Sequence, residues 1–313
     1  MTEHLLWVEK YRPHKIEDCI LPETLKETFQ EYVNRKEIPN LLFTGSAGVG
    51  KTTIAKALCD EVGCDYLVIN GSDNNGIELV RVTIKNYASS MSMVGGRKVI
   101  IIDEADYLTH NAQAAFRNAM EEFAENCSFI FTCNFKNKIM DALHSRCSVV
   151  DFKIPSAQKA KMATQFFKRV EYILNTEEVT YDKSVVAAVI TKHFPDNRRI
   201  LNELQRYSNN DQKTIDAGIL AQVSDITLAP LVKAIKEKDF TTARKWVSSN
   251  LDNDSTAIIR KIYDSLYDFL KPESIPAAVL VLSKYQFQAA FVSDPEINLV
   301  ACLTEFMIEC DFK

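Results

Sequence analysis

The residues most able to do chemistry lie in the first half of the chain. Gly45-Ser46-Ala47-Gly48-Val49-Gly50-Lys51-Thr52 matches the pattern G-x-x-x-x-G-K-[ST] in full. Glycines at these positions let the backbone curl so that successive N–H groups converge on phosphate oxygens. Lys51 adds a point charge for the outer phosphates, and the Thr52 hydroxyl is a ligand for a hard divalent cation such as Mg²⁺. Val99-Ile100-Ile101-Ile102-Asp103-Glu104 is an apolar run ending in two acids, which continues as Ala105-Asp106. Asp103 suits the Mg²⁺ shell and Glu104 suits the polarisation of an attacking water. Phe131-Thr132-Cys133-Asn134 ends in an amide that can report on a terminal phosphate, and Ser145-Arg146-Cys147 supplies a planar, permanently charged donor for a transferring phosphoryl group.

These groups need a scaffold that brings them to one edge. Five short apolar runs, 41–44, 66–70, 98–103, 128–133 and 148–152, show little polar alternation, as strands covered on both faces do. Between them, 51–61, 77–89 and 111–125 have helical periodicity. Alternation of this kind predicts a parallel α/β sheet, whose ligands bind beyond the carboxyl ends of its strands. After Phe152 the strand pattern stops at Ile154-Pro155-Ser156, where Pro excludes a continuing strand and Ser can cap a helix. Helical segments follow at 158–174, 184–192, 198–207 and 217–223. From 227 onward the chain is again helical, with Ile258, Ile259, Ile262, Tyr263, Leu266 and Phe269 at helical spacing, and Asp294-Pro295 opening a last helix. The expected division is 1–153, 154–225 and 226–313.

Composition narrows the class. With 46% hydrophobic and 25% charged residues the chain reads as an ordinary globular protein. The net charge of −5 does not announce a nucleic-acid binder, although a local basic stripe can sit on an acidic protein. No window approaches the roughly 18 apolar residues of a membrane span, and the first residues lack a signal-like apolar core. None of the eight cysteines forms a C-x-x-C pair, so no zinc site is expected and a reducing, cytoplasmic setting is.

Taken in order, Trp7-Val8-Glu9-Lys10-Tyr11-Arg12-Pro13, the GSAGVGKT loop, IIIDEAD, TCN and Ser145-Arg146-Cys147 resemble the clamp-loader branch of the AAA+ ATPases, with replication factor C small subunits sharing the series. Asn70-Gly71-Ser72-Asp73 and Gly76-Ile77-Glu78-Leu79-Val80-Arg81 fit the same pattern. The match covers about the first 210 residues. Cys19-Ile20-Leu21-Pro22, His193-Phe194-Pro195-Asp196 and Asp216-Ala217-Gly218-Ile219-Leu220 are most similar to the large ATPase subunits of T-even-like bacteriophage clamp loaders. Cellular members usually carry Gly-Gln at the first of these and often Gly-Asp at the second. Beyond Asp225 no motif matches.

The resemblance implies an AAA+ domain with a parallel sheet, then a helical lid, then an all-α collar that oligomerises. It implies ATP and Mg²⁺, with Val8, Glu9, Lys10, Tyr11 and Ile20 around adenine and ribose. Gly48, Val49, Gly50, Lys51, Thr52 and Thr53 fall at the phosphates, Thr52 and Asp103 at the metal (Asp103 through water), and Arg198 reaches in from the lid. Glu104, Lys51 and Asn134 are implied as catalytic, with Arg146 acting in trans on a neighbouring subunit's ATP. Arg81, Lys85 and Lys138 match positions facing DNA, and Gln113 and Arg117 match residues coupling DNA and neighbours to the ATP site. The implied partners are further copies of this chain, a different small subunit, a sliding clamp and primer–template DNA, with no membrane. Two other readings stay open on the residues: another AAA+ motor for branch migration or helicase loading, and a non-catalytic scaffold that binds nucleotide only for assembly.

Overall fold

The computed structural model describes residues 6–73, 77–90, 92, 96–209, 213–222, 228–250, 255–289, 291–292 and 294–313, and divides the chain into two compact units, 1–223 and 224–313. In the first unit, five parallel strands run β1 (Leu41–Thr44), β2 (Tyr66–Asn70), β3 (Lys98–Asp103), β4 (Cys127–Cys133) and β5 (Ser148–Asp151), in the spatial order β2-β3-β4-β1-β5. β1 and β4 are buried along their whole length and β3 all but its last residue, which explains their unbroken apolar runs. The edge strands β2 and β5 alone present exposed residues.

Successive side chains of a strand point to opposite faces. Leu41 and Phe43 therefore join Val99, Ile101 and Ile130 under helices α2 (Glu23–Arg35) and α3 (Lys51–Val62), where Phe29, Ile54 and Leu58 complete one core. Leu42, Ile100, Ile102, Phe129 and Phe131 face the other way, against Ile84 of α4 (Ile77–Ser89) and Phe116 and Met120 of α5 (His110–Glu122). α3 starts and stops on left-handed glycines, Gly50 at φ 95° and Gly63 at φ 73°. α5 is capped by Thr109, whose hydroxyl accepts from Ala112 N, and it ends three residues earlier than its periodicity suggests. Phe123 leaves the helical region there, and a turn closed by Asn126 N–H to the Phe123 carbonyl delivers the chain to β4.

A short helix, α6 (Asp141–His144), precedes β5. Beyond it α7 (Ser156–Thr176), α8 (Lys183–His193), α9 (Asn197–Ser208) and α10 (Gly218–Gln222) enclose a separate core around Met162, Phe166, Val186, Ile190, Ile200 and Leu204. Pro155, not Ser156, stands at the N-cap of α7, and no side chain caps that helix. A parallel pair of two-residue strands, β6 (Thr180–Tyr181) and β7 (Thr214–Ile215), adds a contact too short to leave a sequence pattern. The amino-terminal segment joins this core: helix α1 (Trp7–Lys10) buries Trp7 there, and the Trp7 N–H donates to Gln205 Oε1 at 2.9 Å.

The second unit packs α11 (Leu228–Lys236), α12 (Phe240–Ser248), α13 (Ser255–Asp264), α14 (Leu266–Phe269), α15 (Ile275–Gln288) and α16 (Pro295–Glu309) around one core. Ile258, Ile259, Ile262, Leu266 and Phe269 are buried in it; Tyr263 points outward instead, with the Arg260 guanidinium 5.0 Å from its ring centre. Asp294 caps α16 by accepting from Glu296 N and Ile297 N, and Pro295 takes the first helical position. No helix among the described residues is long and apolar enough to cross a membrane.

Candidate active site

Because the strands are parallel, the turn after β1, the end of β3 and the end of β4 share one edge of the sheet. The loop 45–50 opens α3 there, with Gly48 at φ 74° and Gly50 at φ 95°. Lys51 is almost wholly buried. Its ammonium donates to the Gly45 and Ser46 carbonyls and to Asn134 Oδ1, each at 2.8 Å. Burial holds this lysine below its ordinary pKa, opposed by Asp103 and Asp106, while the nearby Arg198 charge depresses it further. Lys51 is thus held in place by neutral acceptors, as a cation awaiting an anion must be.

Asp103 stands beside it. Its Oδ1 accepts from the Thr52 hydroxyl at 2.6 Å and from the Thr132 hydroxyl at 2.5 Å. Thr132 Oγ1 also accepts from the Glu104 N–H at 3.1 Å, so one hydroxyl of β4 holds the Asp103 carboxylate and the backbone of the residue that follows β3. Glu104 itself has left-handed backbone, φ 54° and ψ 44°, an unusual conformation for a residue with a Cβ. That turn lifts its side chain out of the strand and into the cleft. Gly71 permits it: a Cβ there would lie 2.6 Å from the Glu104 carbonyl oxygen.

The cleft is lined on the phosphate side by Gly48, Val49, Gly50, Lys51, Thr52, Thr53, Asp103, Glu104 and Asn134, with Asn197 and Arg198 arriving from α9. On the other side it is lined by Val8, Tyr11 and Ile20, together with Arg12, Pro13, Arg169, Ile173 and Leu201. Two of the expected adenine-side residues do not line it. Lys10 turns outward and donates to Glu177 Oε1 at 2.7 Å, and Glu9 pairs with the Arg12 guanidinium, whose Nη1 donates to Thr53 Oγ1 at 3.2 Å. A four-residue helix cannot aim consecutive side chains the same way; Val8 and Tyr11, three apart, share the inner face. Tyr11 is held by Glu177, its hydroxyl donating to Oε1 at 2.5 Å, and Arg169 Nη2 donates to the Tyr11 carbonyl at 3.1 Å. Burial and that carboxylate push the Tyr11 phenol well above its usual range. Arg12 stood in the Trp7–Pro13 run without an assigned role, Arg169 and Glu177 carried no motif signal, and only the fold brings 169 and 177 to the N-terminal segment.

Helix α9 closes the loop's outer side. Its cap Asp196 accepts from Arg199 N at 3.0 Å, and the Asn197 N–H donates to the Gly48 carbonyl at 3.1 Å. Pro195 enters through a cis peptide bond. Gly48 lies so close to Asp196 that a Cβ would meet its Oδ1 at 1.8 Å.

The remaining expected residues lie elsewhere. Arg146 is on the surface after α6. Gln113 is buried; its amide donates to the Lys138 carbonyl at 2.9 Å and to the Leu108 carbonyl at 3.3 Å, and accepts from Met140 N at 2.8 Å. Arg117, one helical turn on, donates to Asn118 Oδ1 at 2.9 Å. Lys85 and Lys138 are exposed and belong to no ion pair among the described residues. Arg81 lies on α4, with its side chain outside the described residues.

The oxygen donors Thr52 and Asp103, in direct contact at the mouth of the phosphate loop, have the chemistry of a hard divalent-cation site. Glu104 and Asn134 flank the same point from β3 and β4, an arrangement suited to hydrolysis of a terminal phosphate.

The family model described as the ATPase family associated with various cellular activities (AAA) matches residues 41–155, and that of the sliding-clamp-loader large subunit AAA+ ATPase lid domain matches 158–221. Sliding-clamp-loader large subunits of Escherichia phage RB69 and Enterobacteria phage T4 are 35% and 34% identical, over 99% of this chain and 98% of theirs. A replication factor C small subunit of Methanothermobacter thermautotrophicus is 32% identical over 96% of this chain and 97% of its own. Among solved structures, a RuvB variant of Thermotoga maritima superposes with a TM-score of 0.55 at 16% identity, over 74% of this chain and 80% of that one, a likeness of fold.

Proposed function

The chain belongs to the sliding-clamp-loader ATPases of the AAA family, and from that premise we propose how its site works. It is an ATP hydrolase that serves clamp loading in DNA replication. The observation that carries the mechanism is the convergence of Lys51, Asn134, Thr52, Asp103 and Glu104 on one cleft edge.

Val8, Tyr11 and Ile20 take the base and ribose. Residues 48–53 and Arg198 take the phosphates, with Lys51 leaving its carbonyl partners for them. Mg²⁺, held by Thr52 and, through water, Asp103, supplies charge neutralisation at the outer phosphates when bound. Glu104 orients and polarises water, and Asn134 reads the terminal phosphate while steadying Lys51. The products are ADP and phosphate. Arg146 lies outside this cleft, on the surface, which supports its acting on a neighbouring subunit's ATP.

In this reading 1–153 is the ATPase domain, 154–225 its lid and 226–313 a collar that joins it to further copies and one different small subunit. ATP binding assembles a spiral that opens a ring-shaped clamp. Primer–template DNA, met by Arg81, Lys85 and Lys138, is sensed through Gln113 and Arg117, and hydrolysis releases the clamp. That Lys85 and Lys138 belong to no ion pair among the described residues supports phosphate contact, which gives affinity without reading sequence. The setting is the cytoplasm of an infected bacterial host.

Steady-state ATPase of the chain assembled with its small partner tests this. Stimulation by primed DNA, a further rise with clamp, and loss on Arg146→Ala are expected. A rate indifferent to DNA and clamp would sink the mechanism while leaving nucleotide hydrolysis intact.

A further inference from the structure

Helix α3 ends on two cysteines that its closing turn brings together. Left-handed Gly63 lets the Gly63 and Cys64 N–H groups both donate to the Cys59 carbonyl, at 3.0 and 3.1 Å. In a helix terminus of this kind the side chains at the two ends of the turn meet. Here both are thiols. They are hydrogen-bonded to each other, and Cys64 Sγ lies 3.7 Å from the Cys59 carbonyl oxygen.

The two sulfurs are not equivalent. Cys59 is wholly buried, whereas Cys64 is only partly buried and lines an open groove of about 280 Å³ with Val62, Gly63 and Arg97. A groove of that size admits a peroxide, since a water takes up about 30 Å³. The hydrogen bond from Cys59 holds the Cys64 thiol below its ordinary pKa, and burial opposes this without cancelling it. The other seven thiols stand above theirs, Cys59 through that same bond and then burial, the rest chiefly through burial. Cys64 is thus the accessible nucleophile, with a second thiol directly behind it. Between the two in sequence lie Asp60 and Glu61. Glu61 Oε2 accepts from the Ile16 N–H at 2.6 Å, and Asp60 Oδ2 lies 3.0 Å from His14 Nδ1. The turn that joins the cysteines therefore also anchors the segment running on to Ile20 in the cleft.

We propose that Cys59 and Cys64 are a redox-active pair, closed to a disulfide by a peroxide and reopened by a thiol, whose closure loosens the adenine side of the cleft. The Cys64 sulfur attacks one peroxide oxygen; an S–O bond forms, the O–O bond breaks, and the departing hydroxide takes a proton and leaves as water. The Cys59 sulfur then attacks the Cys64 sulfur; the S–S bond forms, the S–O bond breaks, and the second hydroxide leaves as water. Both protons come from the two thiols, which together lose two electrons as the peroxide gains two. Two equivalents of a thiol reductant reverse the change and leave as their own disulfide. In a reducing setting the pair rests as free thiols. An S–S bond is about 2.05 Å long, well inside thiol contact distance, so closure draws in the turn that carries Asp60 and Glu61 and shifts their hold on 14–16. The effect on nucleotide rests on the adenine-side reading above, whereas the chemistry of the pair does not.

Mass spectrometry of the full chain tests the pair. After hydrogen peroxide, catalase, alkylation and trypsin, peptide 57–81, which holds these two cysteines and no other, should be unalkylated and lighter by two hydrogens. Dithiothreitol should restore both alkylation sites. Cys59→Ala should instead leave Cys64 as a sulfenic acid that dimedone traps. Alkylation of both wild-type cysteines after peroxide, or a sulfinic acid at Cys64 without the disulfide, overturns the proposal. Binding of a fluorescent ATP analogue should weaken about fivefold on oxidation, the worth of one hydrogen bond, and recover with dithiothreitol, while Cys64→Ser should bind alike with and without peroxide. Equal affinity of the oxidised and reduced wild type overturns the loosening. If the reduced chain binds no nucleotide, the adenine-side reading falls, and the mass of peptide 57–81 still decides the pair.

Discussion

The Arg146 guanidinium is clasped by Glu121 of its own chain. Nε at 3.0 Å and Nη2 at 2.5 Å both donate to Glu121 Oε1, while Nη1 donates to the Ala142 carbonyl at 2.9 Å. Both side chains are partly solvated, so the pair is worth at most about 1 kcal/mol. A phosphate would have to displace a carboxylate that already occupies the donor face.

Glu121→Gln should therefore raise the turnover of the assembled ATPase, by up to about fivefold, whereas Arg146→Ala should lower it by about 10³ or more. Steady-state phosphate release checks both. A slower Glu121→Gln enzyme would mean that the carboxylate aims the guanidinium instead of competing for it.

Lys51→Met should lower nucleotide affinity at least about tenfold, the value of charge-assisted hydrogen bonds. It should not lower the melting temperature at neutral pH, because the native ammonium is buried against neutral carbonyls. The sign follows from its depressed pKa. Between that value and the ordinary lysine range the unfolded chain binds more protons than the folded one, so the wild type gains stability as pH rises there. The variant's relative advantage in a denaturation series should shrink over the same alkaline range. An advantage that grew with pH would contradict the assignment.

Gly48→Ala should destabilise the chain by about 1–3 kcal/mol, from left-handed backbone strain and collision with Asp196. Removing the Asp196 side chain alone should cost about 1 kcal/mol through loss of the α9 cap. The double variant should be more stable than the sum of the two, since Asp196→Ala relieves the collision but not the strain. Denaturant midpoints of the four proteins give the coupling; strict additivity would mean that the loop moves away from α9 freely.

Glu177 supports Tyr11 from outside the cleft. Burial alone would raise its pKa, but the Lys10 and Tyr11 hydrogen bonds outweigh that and hold it below the usual carboxylate range. Its contribution is thus fully present above the unfolded-state value and is lost as pH falls through the lowered one. Glu177→Gln should weaken nucleotide binding severalfold at pH 7, and wild-type affinity should converge on the variant's only under acid conditions. Equal affinities at neutral pH would show that Tyr11 is positioned by Arg169 and packing alone.

What the sequence made legible depended on locality. The phosphate loop, the Asp103-Glu104 strand end and Asn134 are each a contiguous pattern at a strand terminus, and a parallel sheet carries such termini to one edge. The five strands were readable because β1, β3 and β4 are apolar nearly throughout. The left-handed turn at Glu104 was not readable, since it depends on Gly71, in the turn after β2, leaving room behind it. Arg169 and Glu177 were missed because their importance arises from bonds to Tyr11, which lies 158 and 166 positions away in the chain. Glu9 and Lys10 lie outside the cleft that Val8 and Tyr11 line, a difference the four-residue α1 could not announce because it gives no amphipathic stripe from which to judge facing.

The seam between Gly48 and helix α9 makes neighbours of two elements. The Asn197 N–H bonds the Gly48 carbonyl and the Asp196 side chain lies against the same glycine, so the helix that carries Arg198 and the loop 45–50 are joined at their edges. A side chain added to that loop at 48 would therefore be felt first by the cap of α9, and any shift of α9 would be felt first by the loop.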